Sequence, residues 1–224
     1  MQAIVFDWDG TLADTLGAIY DANVEVMSHL GLPFDRNRYR TAFAPDWRVM
    51  YDRLGVPSDR LDEANERWWA ALDEGETTLF PGVLDALEAL VARGHPLGIV
   101  TAGRSDRVGS EIRRHGLDGL FRVVIYGDSV PAQKPDPAPL RQALAAIDRT
   151  ADPSRAIYVG DTPDDMRMAV AAGVRAVGIE SILGDAAELR AAGAEETSST
   201  TTDWVARRLG SVAAHPGPAG PTAG

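Results

Sequence analysis

The feature that most constrains the fold is a set of short apolar runs, each followed by a glycine, a threonine or an acidic residue. The first run spans residues 3–6 and ends at Asp7, and similar runs occupy residues 97–100, 123–126, 156–159 and 176–179. Short apolar runs that contain β-branched residues are typical of strands buried on both faces. The sequence therefore predicts five strands of a buried sheet.

Helical patterns lie between these runs. Apolar residues recur at helical spacing over residues 83–93, and further helices are predicted over residues 107–116, 139–147 and 164–172. Strands that alternate with helices form right-handed crossover units with parallel strands. The predicted fold class is α/β with a doubly wound parallel sheet, in which ligands bind beyond the carboxyl ends of the strands.

A long helical stretch interrupts this alternation after the first strand. Helical patterns cover residues 16–30, 39–54 and 61–72, and loops rich in glycine and proline separate them. We therefore expect a core domain formed by residues 1–15 and 79–212 and an inserted helical domain formed by residues 16–78.

The C-terminal part is different in composition. Residues 195–203 are polar and rich in serine and threonine, and residues 203–209 are predicted to form one last short helix. Residues 213–224 contain too much proline and glycine to fold, so we expect a flexible tail there.

Composition excludes several classes of function. Thirty-three acidic residues against 22 basic ones give a net charge of −11, which argues against a nucleic-acid partner. The chain has no cysteine, so disulfides and thiolate chemistry are excluded. No apolar run approaches the length of a membrane span and no signal peptide is readable, so we expect a cytoplasmic protein without a membrane partner.

Polar motifs follow four of the predicted strands. They read Asp7-Trp8-Asp9-Gly10-Thr11, Thr101-Ala102-Gly103, Lys134-Pro135-Asp136-Pro137 and Gly160-Asp161-Thr162-Pro163-Asp164-Asp165. Because the carboxyl ends of parallel strands share one edge of the sheet, these motifs are expected to converge. Carboxylates gathered in one cleft repel each other unless a cation lies among them, and oxygen ligands without cysteine or histidine favour Mg²⁺.

These residue types suit phosphoryl transfer, which depends mainly on positioning and charge stabilisation. Asp7 can attack phosphorus and form an aspartyl phosphate, and Asp9 can act as a general acid and then as a base. Thr101 can donate a hydrogen bond from its hydroxyl, and Lys134 can neutralise phosphoryl oxygens.

The four motifs in this order resemble the haloacid dehalogenase superfamily, in particular its phosphoglycolate-phosphatase-like branch with a helical cap after the first strand. The resemblance covers residues 3–209. It implies a phosphatase that acts on a phosphorylated small molecule, with Asp7 as the nucleophile and Asp9 as the general acid and base. The presence of Asp9 points to phosphate esters or anhydrides, since relatives that cleave other bonds lack this second acid.

The resemblance also implies the roles of the other motif residues. Mg²⁺ would be held by Asp7, the main-chain carbonyl of Asp9 and Asp161, with Asp165 as a further acid in the outer shell. Thr101 and Lys134 would hold the phosphoryl group, and the neighbouring positions Gly10, Ala102, Gly103 and Arg104 are candidates for phosphate or substrate binding. Ala102 departs from the polar residue that is common in relatives, so one polar contact is expected to be missing.

Three alternative functions remain open from the sequence. A phosphomutase resembling β-phosphoglucomutase is disfavoured because no histidine occurs early in the insertion, where the first histidine is His29. A phosphate-accepting receiver module needs neither the insertion nor Asp9, and a non-catalytic binding protein would not need every reactive group. The sequence does not identify the phosphate ester or the oligomeric state.

Several other residues have more ordinary interpretations. We expect Trp8 to be a core aromatic residue, Asp14 or Thr15 to cap the helix that follows, and Asp128 to stabilise a turn. We expect the pair Trp68-Trp69 to serve packing, and residues 111–115 to form a solvated helix face. Four arginines of the insertion are weaker candidates for contacts with an anionic substrate tail, namely Arg36, Arg38, Arg40 and Arg48.

Overall fold

The computed structural model describes residues 2–73, 77–148, 150 and 152–210. Six parallel strands form the central sheet, in the order β5-β4-β1-β6-β7-β8, and a two-stranded ribbon pairs β2 with β3. The strands are β1 (Ile4–Phe6), β2 (Ala13–Asp14), β3 (Thr78–Leu79), β4 (Leu97–Val100), β5 (Phe121–Ile125), β6 (Ile157–Gly160), β7 (Arg175–Ile179) and β8 (Glu196–Ser198). The parallel sheet confirms the predicted fold class.

Ten α-helices accompany these strands within the described ranges. They are α1 (Leu16–Leu30), α2 (Arg36–Ala42), α3 (Trp47–Leu54), α4 (Leu61–Asp73), α5 (Val83–Ala92), α6 (Ser105–Arg114), α7 (Ala138–Ile147), α8 (Pro163–Ala172), α9 (Ala186–Ala191) and α10 (Thr201–Arg208). No helix of the described part is both long enough and apolar enough to cross a membrane.

The two faces of the sheet carry separate apolar layers. Ile4 and Phe6 of β1 point to one face, where they meet apolar residues of α5, α6 and α10. Val5 points to the opposite face, where apolar residues of α7, α8 and α9 cover it. Alternation of side chains along a strand, with helices on both faces, explains why the strands read as continuous apolar runs.

Sequence reasoning missed the two strands of the short ribbon, β2 and β3, and the strand β8 of the central sheet, which lies within the predicted polar stretch. Strand β8 pairs only with β7, through Val177–Glu196, Gly178–Thr197 and Ile179–Ser198. An edge strand is buried on one side only and tolerates polar residues, so it carries no apolar run for a sequence pattern to detect. The short helix α9 was missed as well, and the predicted tail lies outside the described residues.

The insertion leaves and re-enters the sheet domain at one place. Ala13 pairs with Leu79 and Asp14 with Thr78, so the two connecting segments form the ribbon β2–β3. The helices α1 to α4 between them bury a cluster of their own that includes Val26, Met27 and Leu54.

The predicted helix over residues 39–54 is wrong, because the structure divides it into α2 and α3. Pro45 lies between the two helices, and proline disfavours helical backbone at the residue before it. Asp46 then begins α3, where its side chain accepts a hydrogen bond from the main-chain N–H of Arg48 at 2.9 Å. A proline followed by a capping acid therefore overrides the apolar periodicity.

The cap of α10 gives a test of the C-terminal fold. The Thr200 hydroxyl accepts a hydrogen bond from the Asp203 N–H at 3.0 Å, at the start of the helix that buries Trp204 in the core. We expect Thr200→Ala to lower the free energy of unfolding by about 1 kcal/mol, because the N–H loses its partner. Urea denaturation measures this, with the exposed Ser199→Ala as a neutral control. Equal stability of the two variants would contradict the cap.

Candidate functional site

The candidate site lies where three adjacent strands end. Asp7 follows β1, Thr101 follows β4 and Asp161 follows β6, and these strands are neighbours in the sheet. A cavity of about 410 Å³ lies between this edge and the helices of the insertion. Its wall includes Asp7, Asp9, Thr101, Ala102, Gly103, Arg104 and Asp161. The motifs that the sequence placed at strand ends therefore meet at one edge.

Lys134 is buried between two of the acids. Its Nζ lies 2.8 Å from Asp7 Oδ1 and 2.8 Å from Asp165 Oδ1, and only 4% of its side chain is exposed. Burial opposes the positive charge, but the carboxylates of Asp165 and Asp7 outweigh it and raise the pKa of Lys134. The lysine is therefore a fixed positive charge next to Asp7.

Asp165 uses both of its oxygens within the protein. Its Oδ1 accepts a hydrogen bond from the Tyr158 hydroxyl at 2.9 Å in addition to the contact with Lys134. Its Oδ2 accepts bonds from the Thr162 N–H at 3.0 Å and the Thr162 hydroxyl at 2.7 Å. Asp165 therefore anchors Lys134 and the start of α8, an arrangement in keeping with the outer-shell position that the resemblance implies.

Asp161 has an oxygen without a partner. Its Oδ2 is buried and has no hydrogen-bond donor among the described residues, while its Oδ1 accepts a bond from the Thr11 hydroxyl at 3.4 Å. Burial, with further contributions from Asp165 and Asp7, raises the pKa of Asp161. Gly10 permits this close packing, since it has a φ of 74° and a Cβ there would lie 2.4 Å from Asp161 Oδ2.

The acids meet the requirements of a divalent cation. Oxygens of Asp7, Asp161 and Asp165 lie within 4.8 Å of one another, and all three residues are buried. Burial raises the pKa of Asp7 to about 7, and Lys134 counteracts that effect only in part. Carboxylates that are buried without full compensation favour a bound cation, and the all-oxygen donor set fits Mg²⁺. The donor set is therefore compatible with the predicted metal.

Asp9 belongs to a second buried network. Arg107 donates to both of its oxygens, at 2.9 Å and 2.6 Å, and the Thr15 hydroxyl donates to Oδ1 at 2.6 Å. Although burial opposes ionisation, Arg107 lowers the pKa of Asp9 below its usual value. The expectation that Thr15 caps α1 is wrong, since its hydroxyl bonds to Asp9 and makes no cap bond.

This network extends away from the site through α6. Arg107 Nη1 lies 3.3 Å from both oxygens of Glu111, and the Trp8 indole N–H donates to Glu111 Oε2 at 2.6 Å. Glu111 is buried, so its predicted place on a solvated helix face is wrong. Trp8 is fully buried and confirms its predicted core position. Sequence reasoning missed Arg107, whose only local signal is its i, i+4 spacing to Glu111.

The loop after β4 shapes the wall near Asp7. Thr101 is buried and its Oγ1 accepts a hydrogen bond from the Gly103 N–H at 3.0 Å. Arg104 lies in the cavity wall, but it pairs with Asp106 at 2.7 Å and its guanidinium lies 5.0 Å from the ring centre of Trp69. Asp128 accepts bonds from the N–H and the hydroxyl of Ser105 and so fixes the start of α6.

The remaining candidate residues lie in the cavity wall, at the protein surface or buried behind the wall. Trp68 and Trp69 both line the cavity, so the expected packing role describes only part of their position. Among the four arginines of the insertion, Arg48 lies in the cavity wall, whereas Arg40 pairs with Asp185 and Glu188. Lys134 and Asp165 are buried beside Asp7 outside that wall, and Gly10 lies against Asp161.

Comparisons with known proteins agree with this arrangement. The sequence model of the family described as haloacid dehalogenase-like hydrolase matches residues 4–179. The chain belongs to this family. It is therefore a hydrolase, and its six-stranded parallel sheet is the α/β core of a haloacid dehalogenase-like enzyme.

Several curated relatives that the chain matches are phosphatases by name. It is 32% identical to the pyrophosphatase PpaX of Bacillus velezensis, over 80% of this chain and 83% of the relative. It is 34% identical to a phosphoglycolate phosphatase of Cereibacter sphaeroides, over 78% and 83% of the two chains. A solved structure described as a haloacid dehalogenase-like hydrolase from Bacteroides fragilis is 29% identical. It superposes with a TM-score of 0.79 and covers 91% of this chain and 99% of that chain.

The Arg107 network gives a prediction on stability. We expect Arg107→Met to lower the free energy of unfolding by about 3 kcal/mol, because it leaves the carboxylates of Asp9 and Glu111 buried without a cation. Arg104→Met is the matched control, since that exposed pair contributes less than about 1 kcal/mol. Urea denaturation of both variants measures the difference.

The same measurement has an expected pH dependence. The pKa of Asp9 is lower in the folded state than in the unfolded state. Ionised Asp9 therefore contributes to the free energy of unfolding at pH values above the unfolded-state pKa, and this contribution is lost as the pH falls through the folded-state pKa. The stability gap between wild type and Arg107→Met should therefore be largest near neutral pH and narrow in acid. A gap that stays constant with pH, or one no larger than that of Arg104→Met, would contradict the network.

Proposed function

We propose that this enzyme is a Mg²⁺-dependent phosphatase that hydrolyses a small-molecule phosphate monoester through an aspartyl phosphate on Asp7. The observation that carries the proposal is the buried pair Asp7 and Asp161 on the cavity wall, with Lys134 fixed beside Asp7 and Asp161 Oδ2 unpartnered. The names of the relatives support the phosphatase class, and phosphoglycolate phosphatases among them support a phosphorylated small molecule as substrate.

Asp7 is the nucleophile in the first step. One of its oxygens forms a bond to phosphorus while the bond from phosphorus to the ester oxygen breaks, and the leaving oxygen takes a proton from Asp9. Lys134 and Thr101 stabilise the negative charge on the phosphoryl oxygens, as groups that are already in place before the reaction. Lys134 lies beside Asp7 at the end of β1, and Thr101 follows the neighbouring strand β4.

Asp9 changes role between the two steps. Its ion pair with Arg107 holds it as a carboxylate, which suits the second step, where it takes a proton from the attacking water. The water oxygen then bonds to phosphorus, the bond to Asp7 breaks, and inorganic phosphate is released. To donate a proton in the first step, Asp9 has to separate from Arg107, which removes the influence that lowers its pKa.

Mg²⁺ would be held by Asp7, Asp161 and the main-chain carbonyl of Asp9, with Asp165 outside this set. When bound, it would neutralise the gathered carboxylates and so reduce their repulsion of an anionic phosphate group. The helical insertion, residues 16–78, acts as a cap over the core of residues 1–15 and 79–212. It limits the access of bulk water and selects the leaving group.

The nucleophile gives the most direct kinetic prediction. Asp7→Asn should lower phosphate release from a phosphate monoester by at least about 10³-fold, because a neutral amide is a poor nucleophile toward phosphorus. Release of inorganic phosphate in the presence of Mg²⁺ measures this, with the exposed Asp14→Asn as the control. Activity retained in Asp7→Asn would rule out the covalent mechanism.

The second acid gives a prediction on the intermediate. Asp9→Asn should slow hydrolysis of the aspartyl phosphate by about 10²-fold to 10⁴-fold, because the attacking water loses its general base. Single-turnover kinetics with 4-nitrophenyl phosphate, whose leaving group departs without a proton from Asp9, should then show the phosphoenzyme accumulating. Unchanged single-turnover kinetics would remove Asp9 from this role.

Metal binding can be measured without turnover. We expect Mg²⁺ to raise the Tm of the wild type and of Asp164→Asn, an adjacent acid that pairs with Arg167, but not of Asp161→Asn. The Mg²⁺ concentration that gives half of the rise in Tm should be lower at about pH 8 than at about pH 6. Asp7, whose pKa is about 7, must release its proton to solvent before its carboxylate can bind the cation. An undiminished response in Asp161→Asn would contradict the site.

A further inference from the structure

The insertion side of the catalytic cavity is rich in aromatic residues. Phe43, Trp47, Met50, Trp68 and Trp69 all contribute to its wall, opposite the acids of the sheet edge. The rings of Trp68 and Trp69 lie at 88° to each other with centres 5.0 Å apart, so they form a corner rather than a flat surface. Cavities of this size with aromatic walls bury most of the surface of a ring-sized ligand.

The fully buried polar residues on this side are uncharged. Tyr39 and Tyr51 line the cavity and are each 2% exposed. Burial raises the pKa of both phenols, and the negative charges of Asp161 and Asp9 raise that of Tyr39 further. Asn23, also in the wall, is fully buried, and its Oδ1 has no donor in the described chain.

The cations of the wall are already used or lie at the surface. Arg107 pairs with Asp9 and Glu111, and Arg104 pairs with Asp106. Arg48 is exposed and its guanidinium lies 4.4 Å from the ring centre of Trp47. A carboxylate on the leaving group, as in a two-carbon phosphorylated acid, would thus be desolvated against aromatic rings without a buried cation, which is unfavourable.

From this wall we infer that the preferred substrate is the phosphate ester of an uncharged alcohol that carries a ring with hydrogen-bonding groups, and not of a small carboxylic acid. The inference rests on the proposed phosphatase function and specifies its substrate class. The ring packs against the tryptophans, and its polar groups bond to the hydroxyls of Tyr39 and Tyr51.

A comparison of four esters of primary alcohols separates the effects of a carboxylate, a ring and hydrogen-bonding groups on substrate preference, because the leaving oxygens of the four esters are similar. They are phosphoglycolate, which carries an acid; glycerol 3-phosphate, which has no ring; benzyl phosphate, which has an apolar ring; and uridine 5′-monophosphate, which has a ring with hydrogen-bonding groups. We expect kcat/KM with Mg²⁺ for each ring ester to exceed that for phosphoglycolate by at least about tenfold, as burial of a ring predicts.

Isosteric variants test the phenols separately. Tyr39→Phe and Tyr51→Phe keep the rings and remove the hydroxyls, so each should raise KM for uridine 5′-monophosphate by about 2-fold to 12-fold. Neither should change KM for benzyl phosphate, which cannot bond to a hydroxyl through its ring. Tyr20→Phe is the matched control, since Tyr20 stacks on Phe34 outside this cavity. A merely structural role would affect both esters equally.

The outcomes are distinguishable. Phosphoglycolate as the best ester, with its kcat/KM lowered by Arg48→Gln, would overturn the inference and leave the phosphatase function intact. Equal losses for all esters in the tyrosine variants would also overturn it. If no ester gave Mg²⁺-dependent phosphate release that Asp7→Asn abolishes, the proposed function would fail, and this inference with it.

Discussion

The ammonium of Lys134, shared between Asp7 and Asp165, is the interaction on which the site depends. Three carboxylates with oxygens within 4.8 Å of one another repel each other strongly when buried, and this lysine compensates two of them. Tyr158 and Thr162 hold Asp165 in place, so the lysine is fixed from behind the site. Asp7 is thereby kept at the end of β1, where it lines the cavity.

A second cation performs the same task for Asp9. Arg107 compensates Asp9 and Glu111, and Glu111 in turn bonds to the buried indole of Trp8. Each of the two acids of the first motif therefore has its own buried cation, and their pKa values move in opposite directions. Asp161 is the acid left uncompensated, which is the physical reason to expect a divalent cation beside it.

The sequence predicted the sheet and the residues at its edge because both depend on local patterns. An apolar run that ends at Asp7, Thr101 or Asp161 identifies a strand and the place where its polar residue emerges. Arg107 was missed because its contact with Asp9 spans 98 residues and depends on how α6 packs against the first loop. The aromatic cavity wall was missed for the same reason, since helix packing in the insertion sets which side chains face inward. The polar edge strand β8 has no apolar pattern to detect.

The most direct test of the account is to locate the phosphate on the enzyme. Asp9→Asn protein mixed with Mg²⁺ and 4-nitrophenyl phosphate, whose leaving group departs as an anion and needs no proton from Asp9, is quenched in acid, digested and analysed by mass spectrometry of its peptides. The account predicts phosphate on the N-terminal peptide at Asp7, and none in the double variant that also carries Asp7→Asn. Phosphate on another residue, or 4-nitrophenol released with no labelled peptide, would contradict a covalent mechanism at Asp7.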